Sequence, residues 1–243
     1  MRFRADARGI VFDDGGMNLL SSDALHELGD VIRHVIPSAE ERDESGRGNA
    51  RHHPDSSLSS QLGMTVFTFR FARSAGADMN EMLQFSPREA EEFSRAGQEV
   101  FAAIERLPML TVAIIDGDCF GGALDLAMAF DLRFVTPRSR FAHPGARIGI
   151  VTGFGGTSRW RKIAGRPAAN ALMIGNRTLT AGEARDLGFV DRVAEDHEEE
   201  LRRLESLDPG TTRYVKELTL HADKLTRSQL LLLATRLGNL YFR

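Results

Sequence analysis

Leu110-Thr-Val-Ala-Ile-Ile115 runs through Asp116-Gly117 and on to Gly121-Gly122-Ala123-Leu124-Asp125-Leu126-Ala127-Met128-Ala129-Phe130-Asp131, and this stretch decides the fold. A nearly continuous apolar run rich in β-branched residues predicts a strand buried on both faces. Asp-Gly turns it, and the Gly-Gly pair then opens into small and apolar residues that read as a helix. Backbone N–H groups at a helix start have no intrahelical partner, so they can hold a negatively charged oxygen. About forty-five residues upstream, Ser74-Ala75-Gly76-Ala77-Asp78 follows the alternating, β-rich Met64-Thr-Val-Phe-Thr-Phe-Arg70 and forms a second run of small residues. Two such backbone donors converging on one point would polarise a carbonyl and stabilise an enolate made from it.

The rest of the chain fits an α/β layered fold. Gly9–Asp13 reads as a short strand, followed by a helix with Leu25, Leu28, Val31, Ile32 and Val35 at helical spacing. Ser86-Pro87-Arg88-Glu89 combines an N-cap, a proline at N1 and a capping-box glutamate, and Thr180-Ala-Gly-Glu183 repeats the box. Residues 37–62 are polar, with Pro, Ser, Gly and two histidines, and predict a mobile loop or insertion. The tail from Thr211 to Leu237 is expected to be helical, with Leu230–Ala234 too apolar to face water alone.

Composition narrows the function. A net charge of −3 offers no basic field for nucleic acid. The lone Cys119 excludes an internal disulfide and suits a reducing, cytoplasmic setting. No apolar run approaches the roughly 20 residues of a membrane span. His52-His53 has no second ligand pair at zinc-like spacing, so no metal is expected. Gly153-Phe-Gly-Gly-Thr157 lacks the Lys-Ser/Thr of a phosphate loop, and no G-x-S-x-G occurs.

Four blocks, in order, carry a family resemblance. Gly121-Gly122-Ala-Leu-Asp125-Leu-Ala-Met-Ala-Phe-Asp131 resembles the GGG-x-E-LA-xx-x-D segment of the enoyl-CoA hydratase/isomerase (crotonase) superfamily, and Ala75-Gly-Ala-Asp-Met-Asn-Glu-Met82 resembles its AGADIKEM. Phe141-Ala-His-Pro-Gly-Ala-Arg-Ile-Gly149 with Gly153-Phe-Gly-Gly-Thr-Ser-Arg159 is similar to FGQPE-x-x-x-G and PGAGGTQR. Gly175–Val193 resembles TG-x-x-ISAEEA-x-x-LGLV-x-x-V.

The resemblance implies a ββα spiral core over 1–195 and a C-terminal helical region over 196–243 used to build homotrimers or homohexamers. It implies an acyl-CoA or acyl-carrier-protein thioester as substrate, with no cofactor beyond coenzyme A as part of it. Ala75, Gly76, Ala77, Asp78 and Gly122 match the substrate-binding segments, and the implied oxyanion donors are the N–H groups of Ala75 and Gly122. Asp125 falls at the first catalytic glutamate, one methylene short of it. Gly145 stands where the second acid belongs, which excludes a paired-carboxylate mechanism at that position. A histidine side chain can exchange a proton near neutral pH, so His143, two residues earlier, is the candidate replacement; a packed or surface histidine is the bland alternative. Arg147 and Arg159 are candidates to meet an acidic substrate group, with a structural role favoured for Arg159. Hydratase-like lyase chemistry is the expectation, with thioester decarboxylation or a weakly active thioester-binding protein as alternatives.

Overall fold

The computed structural model describes residues 2–5, 8–35 and 65–238. The polar stretch 37–62, with His52 and His53, lies outside the described residues. Six strands form the main sheet in the order β1-β2-β4-β6-β8-β11. They are β1 (Phe3–Ala5), β2 (Gly9–Phe12), β4 (Val66–Phe71), β6 (Leu110–Ile115), β8 (Leu132–Val135) and β11 (Arg192–Val193). All pair in parallel except β1, which is antiparallel at the edge.

After most long strands the chain adds a short strand and then a helix. β2 leads to β3 (Leu19–Leu20) and helix α1 (Ser22–Val35). β4 leads to β5 (Gly76–Ala77), then α2 (Met79–Met82) and α3 (Pro87–Glu105). β6 leads to β7 (Asp118–Phe120) and α4 (Gly122–Ala127), and β8 leads to β9 (Arg140–Ala142) and α5 (Gly156–Met173). This is the repeated ββα spiral that the resemblance implies. The short strands pair among themselves, β3 with β5 and β7 with β9, beyond the C-terminal ends of the long ones. Each small-residue turn is thereby brought to one end of the sheet.

Strand alternation divides the core into two layers. Phe67, Phe69, Phe71, Ala113 and Ile115 point inward with Phe3, Phe12 and Phe130. Val66, Val112, Ile114 and Phe134 point outward and are covered by Leu201 and Leu204 of α7 (Glu198–Glu205). Helix α8 (Pro209–His221) docks through Lys216, whose buried ammonium lies 2.7 Å from Asp131 Oδ2 and donates to Met109 O. Residues 198–216 thus complete the core of their own chain. Both capping boxes form as the sequence predicts, Ser86 with Glu89 and Thr180 with Glu183. Among the described residues no helix is long and apolar enough to cross a membrane.

Candidate active site

The site is built where the turns after β5 and β7 meet. Gly121 adopts φ 54°, which a side chain would strain, and its N–H donates to Ala142 O at 2.9 Å. Its carbonyl accepts from Leu124 N and Asp125 N, which starts α4 and leaves Gly122 as the first helical residue. The Gly122 N–H therefore has no helical acceptor.

Facing it, Ser74 anchors the other turn. Its N–H donates to Asp118 O and its hydroxyl to Asn18 O. Gly76 takes φ 93°, and a Cβ there would lie 2.6 Å from Gly122 N, so only glycine lets the two turns close on each other. The Ala75 N–H donates to Met17 O at 3.2 Å. It is already committed to the fold, which corrects its expected role as a donor. Asp78 N–H bonds Leu20 O across to β3, so the N–H of Ala77, one residue earlier in the strand, points the opposite way. A Cβ on Gly122 would sit 3.3 Å from Ala77 N. The N–H groups of Ala77 and Gly122 are thus neighbours, each turned away from the pairing of its own element. Asp78 caps α2 by accepting from Asn80 N and Glu81 N, and Glu81 accepts from Ser22 N, so these polar residues hold the turn.

His143 reaches the same place through strand pairing. Phe120 lies beside Ala142 in the parallel β7–β9 register, which sets the next residues, Gly121 and His143, side by side. The imidazole is 5% exposed, and its Nε2 lies 3.3 Å from Asp125 Oδ2. Asp125 is wholly buried and does not line the cavity. Its Oδ2 also accepts from the Thr152 hydroxyl, and its Oδ1 packs where a Cβ on Gly156 would be, at the start of α5. The carboxylate expected to transfer the proton thus stands behind His143, which lies between it and the cavity. A carboxylate accepting from Nε2–H leaves Nδ1 as the basic nitrogen. Nδ1 is the ring atom facing Gly145, 3.5 Å from where a Cβ would be.

Gly145 itself has no room for an acid. A Cβ there would lie 2.5 Å from Ile150 O, because the chain folds back so that Ile150 N–H bonds Gly145 O. Arg159 pairs with Glu105 and donates to Phe154 O, a structural role, while Arg147 is exposed. Burial, helped by the negative charge of Asp125, pushes the Cys119 thiol well above its ordinary range, which makes it a poor nucleophile. No group of acids, histidines or cysteines suited to a metal occurs among the described residues.

Ala77, Gly122 and His143 open onto one cavity of about 280 Å³. Its other walls are mainly apolar, with Met79, Met82, Phe85, Phe93 and Phe154, and His143 is the only titratable side chain among the described residues lining it. Thr152 and Phe154 escape sequence reasoning. Both lie in a loop whose Gly-rich composition draws attention to its backbone instead.

A sequence model of the family described as enoyl-CoA hydratase/isomerase matches residues 69–232. The enoyl-CoA isomerase/hydratase fer4 of Mycosarcoma maydis is 39% identical over 121 residues, 49% of this chain and 44% of that protein. The short-chain-enoyl-CoA hydratase of Clostridium acetobutylicum is 35% identical over 124 residues, 51% of this chain and 48% of that one. The chain spans about half the length of the curated relatives it matches. Among solved structures, an enoyl-CoA hydratase from Thermoplasma volcanium superposes with a TM-score of 0.83 at 23% identity, over 100% of this chain and 92% of that one. DspI of Pseudomonas aeruginosa gives 0.80 at 22% identity, over 99% and 88%. These two likenesses concern the fold.

Proposed function

Since the chain belongs to the enoyl-CoA hydratase/isomerase family, we propose that it is an acyl-thioester enzyme that adds water across a 2-enoyl thioester with a single histidine. The supporting observation is the opening of two backbone donors and a carboxylate-backed histidine onto one mainly apolar cavity. The thioester oxygen lies between the N–H groups of Ala77 and Gly122. His143 Nδ1 takes a proton from water as the oxygen attacks the β-carbon, and negative charge moves to the thioester oxygen, where the two donors hold it. The same imidazolium then returns its proton to the α-carbon. Asp125 stabilises that imidazolium and fixes its tautomer without touching substrate.

The substrate is carried by coenzyme A or a carrier protein, and no further cofactor enters the reaction. Exposed Leu231 and Leu232 of α9 (Arg227–Gly238) offer an apolar surface for self-association, which we read as a homotrimer or homohexamer, and the lone Cys119 suits a cytoplasmic setting. Decarboxylation of a malonyl-type thioester is the second reading. It is favoured by the lone proton donor, because loss of CO₂ makes the enolate without a base and leaves one proton to deliver.

Crotonyl-CoA hydration, followed as loss of enoyl-thioester absorbance, tests the first reading. Turnover should fall about 10²–10⁴-fold in His143→Asn. Wild-type turnover no better than the variant's would overturn hydration and direct the assay to malonyl-CoA.

A further inference from the structure

Phe154 is closely packed at the wall of the cavity. Its ring is 3% exposed and lies between Phe93, at 5.1 Å between centroids, and Phe101, at 5.4 Å. Two glycines make way for it. A Cβ on Gly97 of α3 would lie 2.2 Å from the ring, and one on Gly122 would lie 2.9 Å from it. The backbone is held as well: Phe154 O accepts from Arg159, and Phe154 N–H donates to Thr152 Oγ1 at 3.3 Å. The ring cannot swing aside without emptying the space beside Gly97.

The point where a Gly122 Cβ would be touches both this ring edge and Ala77 N. Phe154 therefore borders the small volume that receives the thioester carbonyl, while Met79, Met82 and Phe85 line the cavity on the α2–α3 side. A straight chain leaving the carbonyl toward α2 and α3 avoids the ring. A substituent on the first carbons beyond the carbonyl does not. We infer that Phe154 is the specificity-determining residue for branching: the site accepts straight-chain acyl thioesters and rejects those carrying a methyl group on the α- or β-carbon. This rests on the proposed thioester reading of the cavity. Gly153-Phe154-Gly155-Gly156 carries the phenyl ring where the similar motif has alanine, so the filter belongs to this chain's own sequence.

A methyl group that a tight apolar pocket cannot admit changes kcat/KM by about 10–200-fold. The test compares crotonyl-CoA with its 2-methyl and 3-methyl derivatives, for the wild type, Phe154→Ala and Phe154→Leu. The quantity read is the ratio of kcat/KM between straight and branched substrate, which a partly misfolded preparation leaves unchanged. The wild type should prefer the straight chain by about tenfold or more, and the preference should collapse in Phe154→Ala and weaken in Phe154→Leu. A ratio unchanged by Phe154→Ala overturns the inference, because loss of a purely structural ring slows all substrates alike. If nothing is turned over, calorimetric affinities for butyryl-CoA and 2-methylbutyryl-CoA give the same ratio. Binding of neither refutes the thioester reading itself, and the inference with it.

Discussion

Asp125→Asn changes a buried charge that meets no substrate, so its effect tests the proposed division of labour. With Asp125 Oδ2 3.3 Å from His143 Nε2, a carboxylate–imidazolium pair at an effective dielectric of about 20 gains roughly 5 kcal/mol. The imidazolium is only partly formed in the transition state, so about half of this, ~2.5 kcal/mol, is lost from the barrier side, or nearly 10²-fold in kcat. Thr152 and His143 Nε2 both contact Asp125 Oδ2, so the orientation of the asparagine amide sets the rest. With its oxygen at that position both contacts and the tautomer survive; with its NH₂ there, the donor facing Nε2 favours the tautomer with the proton on Nδ1, the nitrogen that must act as base. The two orientations bracket a loss of about 10²–10⁴-fold. KM for crotonyl-CoA should barely move, since Asp125 does not line the cavity. The decisive assay is the cycle of Asp125→Asn, His143→Asn and the double variant, read by initial rates of hydration. If Asp125 works through His143, the double variant is no slower than His143→Asn alone. A further tenfold loss in the double variant, or an Asp125→Asn enzyme with wild-type kcat, would refute the positioning role.

Two other consequences are open to measurement. Gly145→Glu, which restores the acid of the similar motif, should not speed hydration and should cost about 1–3 kcal/mol, because its Cβ meets Ile150 O at 2.5 Å; calorimetry should show a Tm lowered by several degrees, and a faster, equally stable variant would contradict this. His197 is buried against Phe134 with both ring nitrogens lacking a hydrogen-bond partner among the described residues, and burial first, then Arg192 and Arg70 over the opposing Asp196, holds its pKa below the ordinary value. The unfolded chain therefore binds the proton first as pH falls through about 6.5, and stability drops below that pH by at most about 1.4 kcal/mol per unit until the folded-state pKa is reached. Urea unfolding at pH 7.5 and 5.5 should show this loss in the wild type and a smaller one in His197→Phe, and equal losses would rule out His197 as the source.

Local chemistry made much of the fold legible. The buried strand at 110–115, both capping boxes and the glycine turn at 121–122 depend on neighbours within a few residues, and all form as read. The errors lie where remote segments decide. Whether Ala75 or Ala77 turns its N–H inward depends on the Gly76 φ of 93° and on the Met17 carbonyl, almost sixty residues away in sequence. The depth of Asp125 depends on α5 packing over it with Gly156 at the contact. The part that α7 plays in the sheet was not legible, because its polar sequence, Glu-Glu-Glu-Leu-Arg-Arg-Leu-Glu, hides the two leucines that close the outer layer.

The pairing of His143 with Asp125 also explains how the site does without a second carboxylate. Two acids in a mainly apolar cavity repel each other, and at least one is driven toward its neutral form, which is what lets such a pair divide acid and base roles. With Gly145 in place of one acid, a lone Asp125 facing the cavity would have no partner to receive or return a proton. Moved behind His143, the same carboxylate becomes the counter-charge for an imidazolium, and the ring gains a basic nitrogen directed at Gly145. The Thr152 hydroxyl donates to the same Oδ2 that meets His143, while Oδ1, on the far side, faces the N-terminal turn of α5. In the proposed hydration one ring then serves both ends of the addition, and the β7–β9 register that sets it beside Gly121 would keep it next to the oxygen whose charge it must follow.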